Sequence, residues 1–465
     1  MDNNFLKFKL HQISKAKFDV YTGNQIKRLE FIVEEFAWFA DETENFLGTI
    51  LLDHVDCNFS SILLSRDENG RFRSIDNATD FNSMRNAFMW LYLKILSLRE
   101  CKKDSNDKKH PKKRILLFKD VVPQEKQNRI YRQLKNDNEW NSAKHLIEAI
   151  MPYYDDVDGN FVQQFQSTGF DQRLWELYLF NYFTEERLEI DRTRNSPDFV
   201  LKKDRQTIGV ESVTLSDKQI NDDAIIPEHK SPSDKYLKND MPILWSAALH
   251  NKLSLKTYSH KNDSIKTHYW EKEGLSEKPF IIAIQDFHKE FSMTWSYTSL
   301  IDLLYGISQT WEIENDKLII TPHKIAPYTK GNGTQIPSAF FFTHPEASHL
   351  SAVIANPLGT LPKFNRIGKE RGFDMFNTMM IHRGLCYNHE KNAVKPNAFQ
   401  YCVQNEVREL WSHGVVVYHN PNAIYPLPDD FFPHACHYHF KDGQIESFTP
   451  PFSPFSSFTT FLKKG

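Results

Sequence analysis

The chain has 465 residues, a formal net charge of -3 from 57 lysines and arginines against 60 aspartates and glutamates, and 40% hydrophobic residues. This composition is typical of a folded globular protein and excludes disordered and fibrous classes, while the length indicates about three packing units. The near-neutral charge argues against a uniformly basic nucleic-acid-binding protein, but it permits a local groove that binds phosphate.

The cysteines and the apolar segments bear on the cellular compartment of the protein. Its five cysteines are few and widely spaced, which favours neither a disulfide framework nor a paired-cysteine zinc site. The N-terminus lacks the apolar core of a signal peptide, and no segment approaches the ~20 apolar residues of a membrane span. We therefore expect a cytoplasmic protein with no membrane partner.

In chain order, residues 1–150 predict an α+β domain whose helix carries the sequence DFNSMRNAFMWLYLKILSL. The basic stretch at 102–114 is interpreted as a solvated linker, with a phosphate-contacting arm as the alternative. Strands and helices alternate through residues 151–306, which favours an α/β core. Residues 307–465 predict a β-rich domain that includes the strands SAFFFTH and GVVVYHN and ends in a proline-containing segment without regular structure.

The most informative helix of the α/β core is FDQRLWELYLFNYF, because apolar side chains occupy nearly all of its faces. Glu176 lies in the middle of this helix. Burial of a carboxylate costs several kcal/mol unless a cation, a metal ion or hydrogen-bond donors compensate it. Arg173, three residues earlier, could supply that compensation as a simple ion pair on the helix surface.

Two further acids lie on the strands that follow the helix. Asp198 comes directly after Pro197 at the start of one strand, and Glu211 lies inside the next. Alternation places Gly209, Glu211 and Val213 on one face of that strand. If three carboxylates converge, each pair at 4 Å repels by ~4 kcal/mol at an effective dielectric constant of 20. Mg²⁺ or Mn²⁺, which prefer oxygen ligands, would relieve that repulsion.

The order of Glu176, Pro197-Asp198 and Glu211 resembles the PD-(D/E)xK, or restriction-endonuclease-like, nuclease superfamily, in which a helix acid precedes the PD strand and the (D/E)xK strand follows. The resemblance implies a mixed central sheet flanked by helices, and a metal ion held by Glu176, Asp198 and Glu211. It further implies hydrolysis of phosphodiester bonds, in DNA or, as the less favoured alternative, in RNA. The segments GFDQRLWELYLF and SAVIANPLGTLPKFNRIG also resemble a family of large bacterial proteins associated with mobile elements and phage defence, which suggests an antiphage effector.

This sequence departs from the motif at Val213, where the superfamily has a lysine that orients the attacking water. Three residues could replace that lysine: Gln172, one turn before Glu176 on the same helical face; Lys202; and Lys218. Gln172 has the best geometry for positioning water but carries no charge. The alternative is a catalytically inactive descendant that binds nucleic acid or assembles with other proteins.

Basic residues outside the core are candidate nucleic-acid contacts. Lys252, Lys256 and Lys266 are interleaved with aromatic residues, Tyr269 and Trp270, that could stack on bases. An ordinary amphipathic helix with a solvated lysine face explains the same pattern. No segment resembles a sequence-reading motif, so a second protein subunit could supply target recognition.

The segment KFNRIGKERG, which contains Lys363 and Arg366, is interpreted either as a phosphate-binding loop or as a structural turn. In FFPHACHYHF the histidines suggest zinc. However, a strand would turn Cys436 away from His437 and His439, and no second ligand group follows at finger-like spacing. The polar end of the strand KPFIIAIQDF, with Asp286 and His288, is interpreted as a strand terminus.

Overall fold

The structure is a computed structural model that describes residues 8–23, 33–104, 115–193, 196–216, 232–260, 263–289, 292, 295–315 and 317–462, with the side chains of 101–104 and 257–265 excepted. Over these residues the protein is a mixed α/β structure with several sheets. The basic stretch at 105–114 and Lys218 lie outside the described residues. No helix among the described residues is long and apolar enough to span a bilayer.

The N-terminal part forms an antiparallel five-stranded sheet in chain order. Its strands are β1 (Leu10–Ile13), β2 (Val33–Asp41), β3 (Phe46–Asp53), β4 (Phe59–Arg66) and β5 (Phe72–Phe81). Helix α1 (Lys15–Tyr21) follows β1, and α2 (Met84–Asp104) packs its apolar side on the sheet in a core of its own. The expected α+β unit is therefore present, with the helix where the aromatic and leucine spacing placed it.

Between this sheet and the central part of the chain, the described residues 115–185 contain four α-helices. They are α3 (Arg129–Asn136), α4 (Asn141–Ile150), α5 (Phe161–Gln166) and α6 (Phe170–Glu185). Helix α6 is buried on nearly every side, as its sequence predicts, and Trp175 donates a hydrogen bond of 3.1 Å to the carbonyl of Ala283 in the central sheet. This packing fixes α6 against the sheet.

The central sheet has eight strands in the order β21-β20-β19-β16-β11-β8-β7-β6. Their bounds are β6 (Glu189–Asp191), β7 (Phe199–Lys203), β8 (Gln206–Ser216), β11 (Phe280–Phe287), β16 (Ala352–Ala355), β19 (Val416–His419), β20 (Cys436–Lys441) and β21 (Gln444–Phe448). Strands β6, β7 and β8 form an antiparallel meander, and β11 runs parallel to both β8 and β16. The predicted domain boundary between 306 and 307 therefore falls within the part of the chain that builds one sheet.

Helices cover both faces of this sheet, so its central strands read as continuous apolar runs. Helices α4, α6 and α10 (Leu361–Glu370) share one core with the sheet. Helices α7 (Met241–Leu253) and α8 (Tyr297–Tyr305) share the other. Pro242 is the second residue of α7, directly after a π-helical segment that spans Tyr236–Asp240. Gly306 ends α8 at φ 70°, a left-handed conformation that favours glycine.

The remaining elements are peripheral hairpins and one small sheet. The hairpins pair β9 (Lys256–His260) with β10 (Asp263–Thr267), β12 (Ile307–Glu314) with β13 (Lys317–Lys324), and β14 (Tyr328–Thr329) with β15 (Gln335–Ile336). The small sheet has the order β18 (Asn397–Cys402), β17 (Met379–Cys386), β22 (Pro454–Leu462), and a short helix α9 spans Phe340–Thr343.

Three sequence predictions of secondary structure are wrong. SAFFFTH contains α9, because Phe340 and Phe341 are buried together in the core rather than on alternate faces. The proline-containing C-terminal segment forms β22, an edge strand whose first residue is Pro454, a position where no backbone donor is needed. KFNRIGKERG is helix α10, not a loop. Gly368 lets α10 approach α4 closely, since a Cβ there would lie 2.3 Å from the carbonyl oxygen of Ser142.

Candidate active site

Helix α6 carries Glu176 into the protein interior, where the side chain is surrounded by donors. Oε2 accepts hydrogen bonds from Tyr154 Oη at 2.7 Å and Arg173 Nη1 at 2.8 Å, and Arg192 Nη2 lies 4.0 Å away. Oε1 accepts from Gln172 Nε2 at 3.1 Å. The ion pair with Arg173 that the sequence suggested is therefore present, and Glu176 is held by four side chains.

Asp198 lies directly before β7, at the partly exposed edge of the site. Its Oδ2 accepts a hydrogen bond from the backbone N of Ser212 at 2.8 Å and another from Ser212 Oγ at 2.6 Å. These two bonds fix the carboxylate against β8. Among the described residues, the donors bonded to the carboxylate of Asp198 are neutral, so no bonded cation there cancels its negative charge.

Glu211 lies on β8, next to Asp198 across the hairpin. The backbone N of Asp198 donates to Glu211 Oε2 at 3.3 Å, and Lys252 Nζ of α7 contacts Oε1 at 2.6 Å. The alternation predicted for β8 is confirmed, because Val213 packs in the same core as α7 while Val210 packs in the core that contains α6. Glu211 and Lys252 therefore meet on the α7 side of the sheet.

Gln172 connects the helix acid to the strand acids. Its amide donates to Ser212 Oγ at 2.7 Å as well as to Glu176, and its carbonyl accepts from Thr214 at 3.1 Å. Because both ends of the amide are engaged, Gln172 positions Glu176 and, through Ser212, Asp198. The expected role of Gln172 in positioning water has no such support in these contacts.

Burial and mutual repulsion disturb the ionisation of these acids. Burial, followed by the charge of Asp198, raises the pKa of Glu211 to about 7 although Lys252 opposes the shift. The same two causes raise the pKa of Glu176 above its usual value. Burial acts to lower the pKa of Lys252, but the carboxylates of Glu211 and Asp198 outweigh it and raise that pKa. Asp198 thus interacts with both of the other acids.

The three acids form a chain rather than a single tight cluster. In the part of the chain that the structure describes, the group of metal-binding side chains whose ligand atoms all lie within 4.8 Å of one another is found elsewhere, and it does not contain Glu176, Asp198 or Glu211. Asp198 and Glu211 are direct neighbours, and Lys252 forms an ion pair with Glu211. The oxygen donors of this pair fit a hard divalent cation such as Mg²⁺ or Mn²⁺, whereas both oxygens of Glu176 already have donors.

Lysines surround the pair formed by Asp198 and Glu211. Lys252 is the nearest, and the charge of Glu211 is also felt by Lys256 and Lys272. Lys272 Nζ further donates to the backbone carbonyl of Ser196 at 3.3 Å. Lys266 is exposed on β10. The sequence analysis listed Lys252 as a nucleic-acid contact and did not identify Lys272. The contacts of Lys252 with Glu211 and of Lys272 with Ser196 join distant parts of the chain, so local patterns do not indicate them.

The aromatic residues next to these lysines are not available for stacking on bases. Tyr269 and Trp270 are both buried. Tyr269 stacks on Phe280, and Trp270 lies between the rings of His268 and His349 at centroid distances of 4.4 and 4.8 Å. Their prediction as base-stacking residues is corrected, because both rings belong to the core around α7.

Lys363 and Arg366 are also placed differently from the prediction. Both side chains are buried on α10, 0% and 2% exposed, where Arg366 forms two hydrogen bonds of 2.7 Å to the carboxylate of Glu409. Lys363 Nζ lies 3.7 Å from the same carboxylate and donates to the carbonyl of His413 at 2.6 Å. The proposed phosphate-binding loop is therefore corrected to an internal charge cluster.

The structure also shows the contacts of Lys202 and of the polar residues at the end of β11. Lys202 pairs with Glu189 at 3.3 Å on the protein surface, so it does not replace the missing motif lysine. At the end of β11, Asp286 Oδ1 contacts His288 Nδ1 at 2.5 Å, and His288 Nε2 contacts Tyr236 Oη at 2.7 Å. These contacts connect the end of the strand to the π-helical segment Tyr236–Asp240 that precedes α7.

The fold and the site together define a mixed α/β protein with an acidic pair and nearby lysines at the β7–β8 hairpin of its main sheet. Comparison of the chain with protein-family models, curated proteins and solved structures found no match. The chemistry of the site must therefore be argued from its residues.

Proposed function

We propose that this protein is a metal-dependent nuclease of the restriction-endonuclease-like type, with Asp198 and Glu211 as metal ligands. The observation that carries the proposal is a pair of neighbouring carboxylates, Asp198 partly exposed and Glu211 buried, with Lys252 bonded to Glu211. The order of elements agrees with the resemblance in the sequence, since a helix acid precedes two antiparallel strands that each bring an acid to the same end of a mixed sheet.

The residues of the site have separate roles in this proposal. In this proposal Lys252 takes the role of the motif lysine that is missing at position 213, because its ammonium group, bonded to Glu211, can orient a water and stabilise charge that develops on a phosphate. Lys256 and Lys272 attract the phosphate backbone. Ser212 holds Asp198, and Gln172 links it to Glu176. A bound divalent cation would lower the pKa of a water and offset negative charge on the phosphoryl group.

We expect Lys252→Met to lower Mn²⁺-dependent cleavage of plasmid and single-stranded DNA by ~10²-fold, the effect of removing one preorganised donor. Lys202→Met is the matched control, because Lys202 is the rival candidate for the missing cation and lies in a surface pair. Initial rates with Mn²⁺ and with EDTA, at equal protein concentration, provide the measurement. No metal-dependent cleavage by the wild type, or equal losses in both variants, would contradict the proposal.

A second candidate function is a binding or assembly module without catalysis. It is favoured by the bonded cations that two of the acids already have, since Arg173 lies 2.8 Å from Glu176 and Lys252 lies 2.6 Å from Glu211. Such a module would bind nucleic acid or a protein partner with no need for a divalent ion.

Thermal unfolding in Mg²⁺ distinguishes the two functions. A ligand that binds only the native state stabilises it by RT ln(1+[L]/Kd), so we expect millimolar Mg²⁺ to raise the Tm of the wild type by roughly 2 °C or more. Mg²⁺ is the ion of choice for this measurement because it binds nitrogen ligands weakly, so a shift in Tm reports binding to carboxylate oxygens. The shift should vanish in Glu211→Gln. An unchanged Tm in the wild type would favour the binding module.

A further inference from the structure

The histidines near the C-terminus form a cluster that the acidic site does not use. The side chains of His419, Asp429, His437 and His439 each offer one ligand atom, and these four atoms all lie within 4.8 Å of one another. Three elements contribute: β19, β20 and the turn at Asp429–Phe431. We propose that this cluster is a binding site for Zn²⁺.

Strand geometry explains why these residues meet. Strands β19 and β20 are parallel neighbours in which Val417 pairs with His437, so His419 and His439 come next in register on the same face. Cys436 lies on the opposite face, buried in the core that contains α7, and His434 contacts Glu186 at 3.0 Å instead. The cluster therefore uses only His437 and His439 from the segment FFPHACHYHF. Its other two members, His419 and Asp429, come from outside that segment, and Cys436 and His434 are not part of it.

The distances suit a small tetrahedral ion. Zinc bonds to nitrogen of 2.0–2.1 Å place neighbouring ligand atoms about 3.3 Å apart. Asp429 Oδ1 lies 3.7 Å from His419 Nε2 and 3.5 Å from His439 Nε2. His419 Nε2 and His437 Nδ1 are closer, at 2.8 Å. Binding therefore requires this pair to separate by roughly 0.5 Å, and the stacked rings of His419 and His439 to turn out of parallel.

The hydrogen bond on the other side of His437 supports a metal-binding role. His437 Nε2 lies 2.9 Å from the backbone carbonyl of Phe432, which can only accept, so Nε2 carries the proton and Nδ1 presents its lone pair to the cluster. A backbone carbonyl bound to the second nitrogen is the usual partner of a metal-ligating histidine. Without an ion, His419 Nε2–H donates to that lone pair. On binding, the proton of His419 moves to Nδ1.

An ion can reach the cluster from solvent. A surface depression of about 370 Å³ is lined by Asp429, His437, His439 and the segment Phe448–Pro450, among others. The side chain of Asp429 is 72% exposed, so it can close over an ion without disturbing the core. Nitrogen donors with one carboxylate favour Zn²⁺ over Mg²⁺ or Mn²⁺.

The zinc site is separate from the acidic pair. Strand β19 lies three strands from β8, which corresponds to about 14 Å across the sheet. Across the sheet, the residue of β19 in register with Glu211 is Tyr418. His419 is the next residue along β19, so its side chain lies on the opposite face of the sheet from Glu211. Zinc bound here would tie β19 and β20 to the turn that precedes β20, at the outer part of the sheet.

The test is competition for Zn²⁺ between the metal-stripped full-length chain and a chromophoric chelator. We expect one Zn²⁺ per chain, with affinity lowered at least ~10²-fold in His439→Gln and in Asp429→Asn, an exposed position that leaves the fold intact. His434→Gln is the matched control, because it lies in the same segment and outside the cluster, and its affinity should equal that of the wild type. Asp198→Asn should also bind normally, which separates this site from the proposed nuclease site.

Co²⁺ substitution identifies the ligands directly. We expect visible bands of a four-coordinate nitrogen and oxygen site that persist in Cys436→Ser and disappear in His437→Gln. Wild type that competes no better than the double variant His437→Gln/His439→Gln would overturn the proposal. So would a thiolate charge-transfer band that is lost in Cys436→Ser.

Discussion

Replacing Asp198 with asparagine should reduce Mn²⁺-dependent DNA cleavage about 10³-fold, which corresponds to ~4 kcal/mol of transition-state stabilisation. Asparagine has the same shape and retains an oxygen for the bonds that Ser212 donates at 2.8 and 2.6 Å. It removes a negative charge that has no bonded cation among the residues that the structure describes. The substitution therefore tests the charge of Asp198 separately from its place in the fold.

Thermal unfolding without metal supplies the control for that experiment. Because Asp198 raises the pKa of both Glu176 and Glu211, its removal relieves repulsion, and the Tm of the metal-free variant should equal or exceed that of the wild type. Asp204→Asn, at the exposed turn between β7 and β8, should cleave at the wild-type rate. Equal cleavage by Asp198→Asn and wild type, with both folded, would refute the assignment of this residue.

The second large effect concerns stability. Glu409→Gln should lower the free energy of unfolding by about 3–5 kcal/mol, because it leaves two buried cations, Lys363 and Arg366, without their shared carboxylate. Urea unfolding at pH 7 and 25 °C provides the measurement. Glu406→Gln, which breaks the exposed pair with Arg408, is the control and should change stability by no more than ~0.5 kcal/mol.

The pH dependence of stability provides an independent check of this cluster. Burial alone would raise the pKa of Glu409, but Arg366 and Lys363 outweigh it and lower the pKa to about 2. A lowered carboxyl pKa stabilises the protein fully above the unfolded value of 4.5, and this contribution is lost as the pH falls through about 2. The difference in the free energy of unfolding between the wild type and Glu409→Gln should therefore become smaller as the pH falls below 4.5. A loss below 1 kcal/mol at pH 7 would show that Lys363 and Arg366 have other partners.

Local patterns in the sequence were enough to predict the helix and the two strands that carry the candidate acids. Hydrophobic spacing located α6, and alternation placed Glu211 on the correct face of β8, because both signals extend over a few neighbouring residues. Partners from distant parts of the chain could not be predicted in this way. Lys252 reaches Glu211 only because α7 packs across the sheet, and Lys363 meets Glu409 through the packing of α10.

The outer half of the central sheet illustrates the same limit. Apolar runs predicted β16 and β19 as strands, but nothing in either run indicates which strand it pairs with, and we assigned both to a separate domain. The histidine cluster could not be predicted from local patterns either. His419 belongs to another strand, and Asp429 precedes the segment FFPHACHYHF and lies outside its strand. Pairing between distant strands depends on the whole fold.

Strand β11 gains its second neighbour from a part of the chain about 70 residues further on, because β16 pairs with it through Ile281 and Ala352. During synthesis, β11 emerges well before that neighbour, and its backbone groups on one side remain open to other chains in the meantime. A fragment that stops near residue 306 would keep this apolar edge permanently exposed, although it contains every acid of the candidate active site. The acids of the candidate active site and the strand that covers β11 thus lie in different parts of the polypeptide, so a fragment that carries the acids alone would lack this cover.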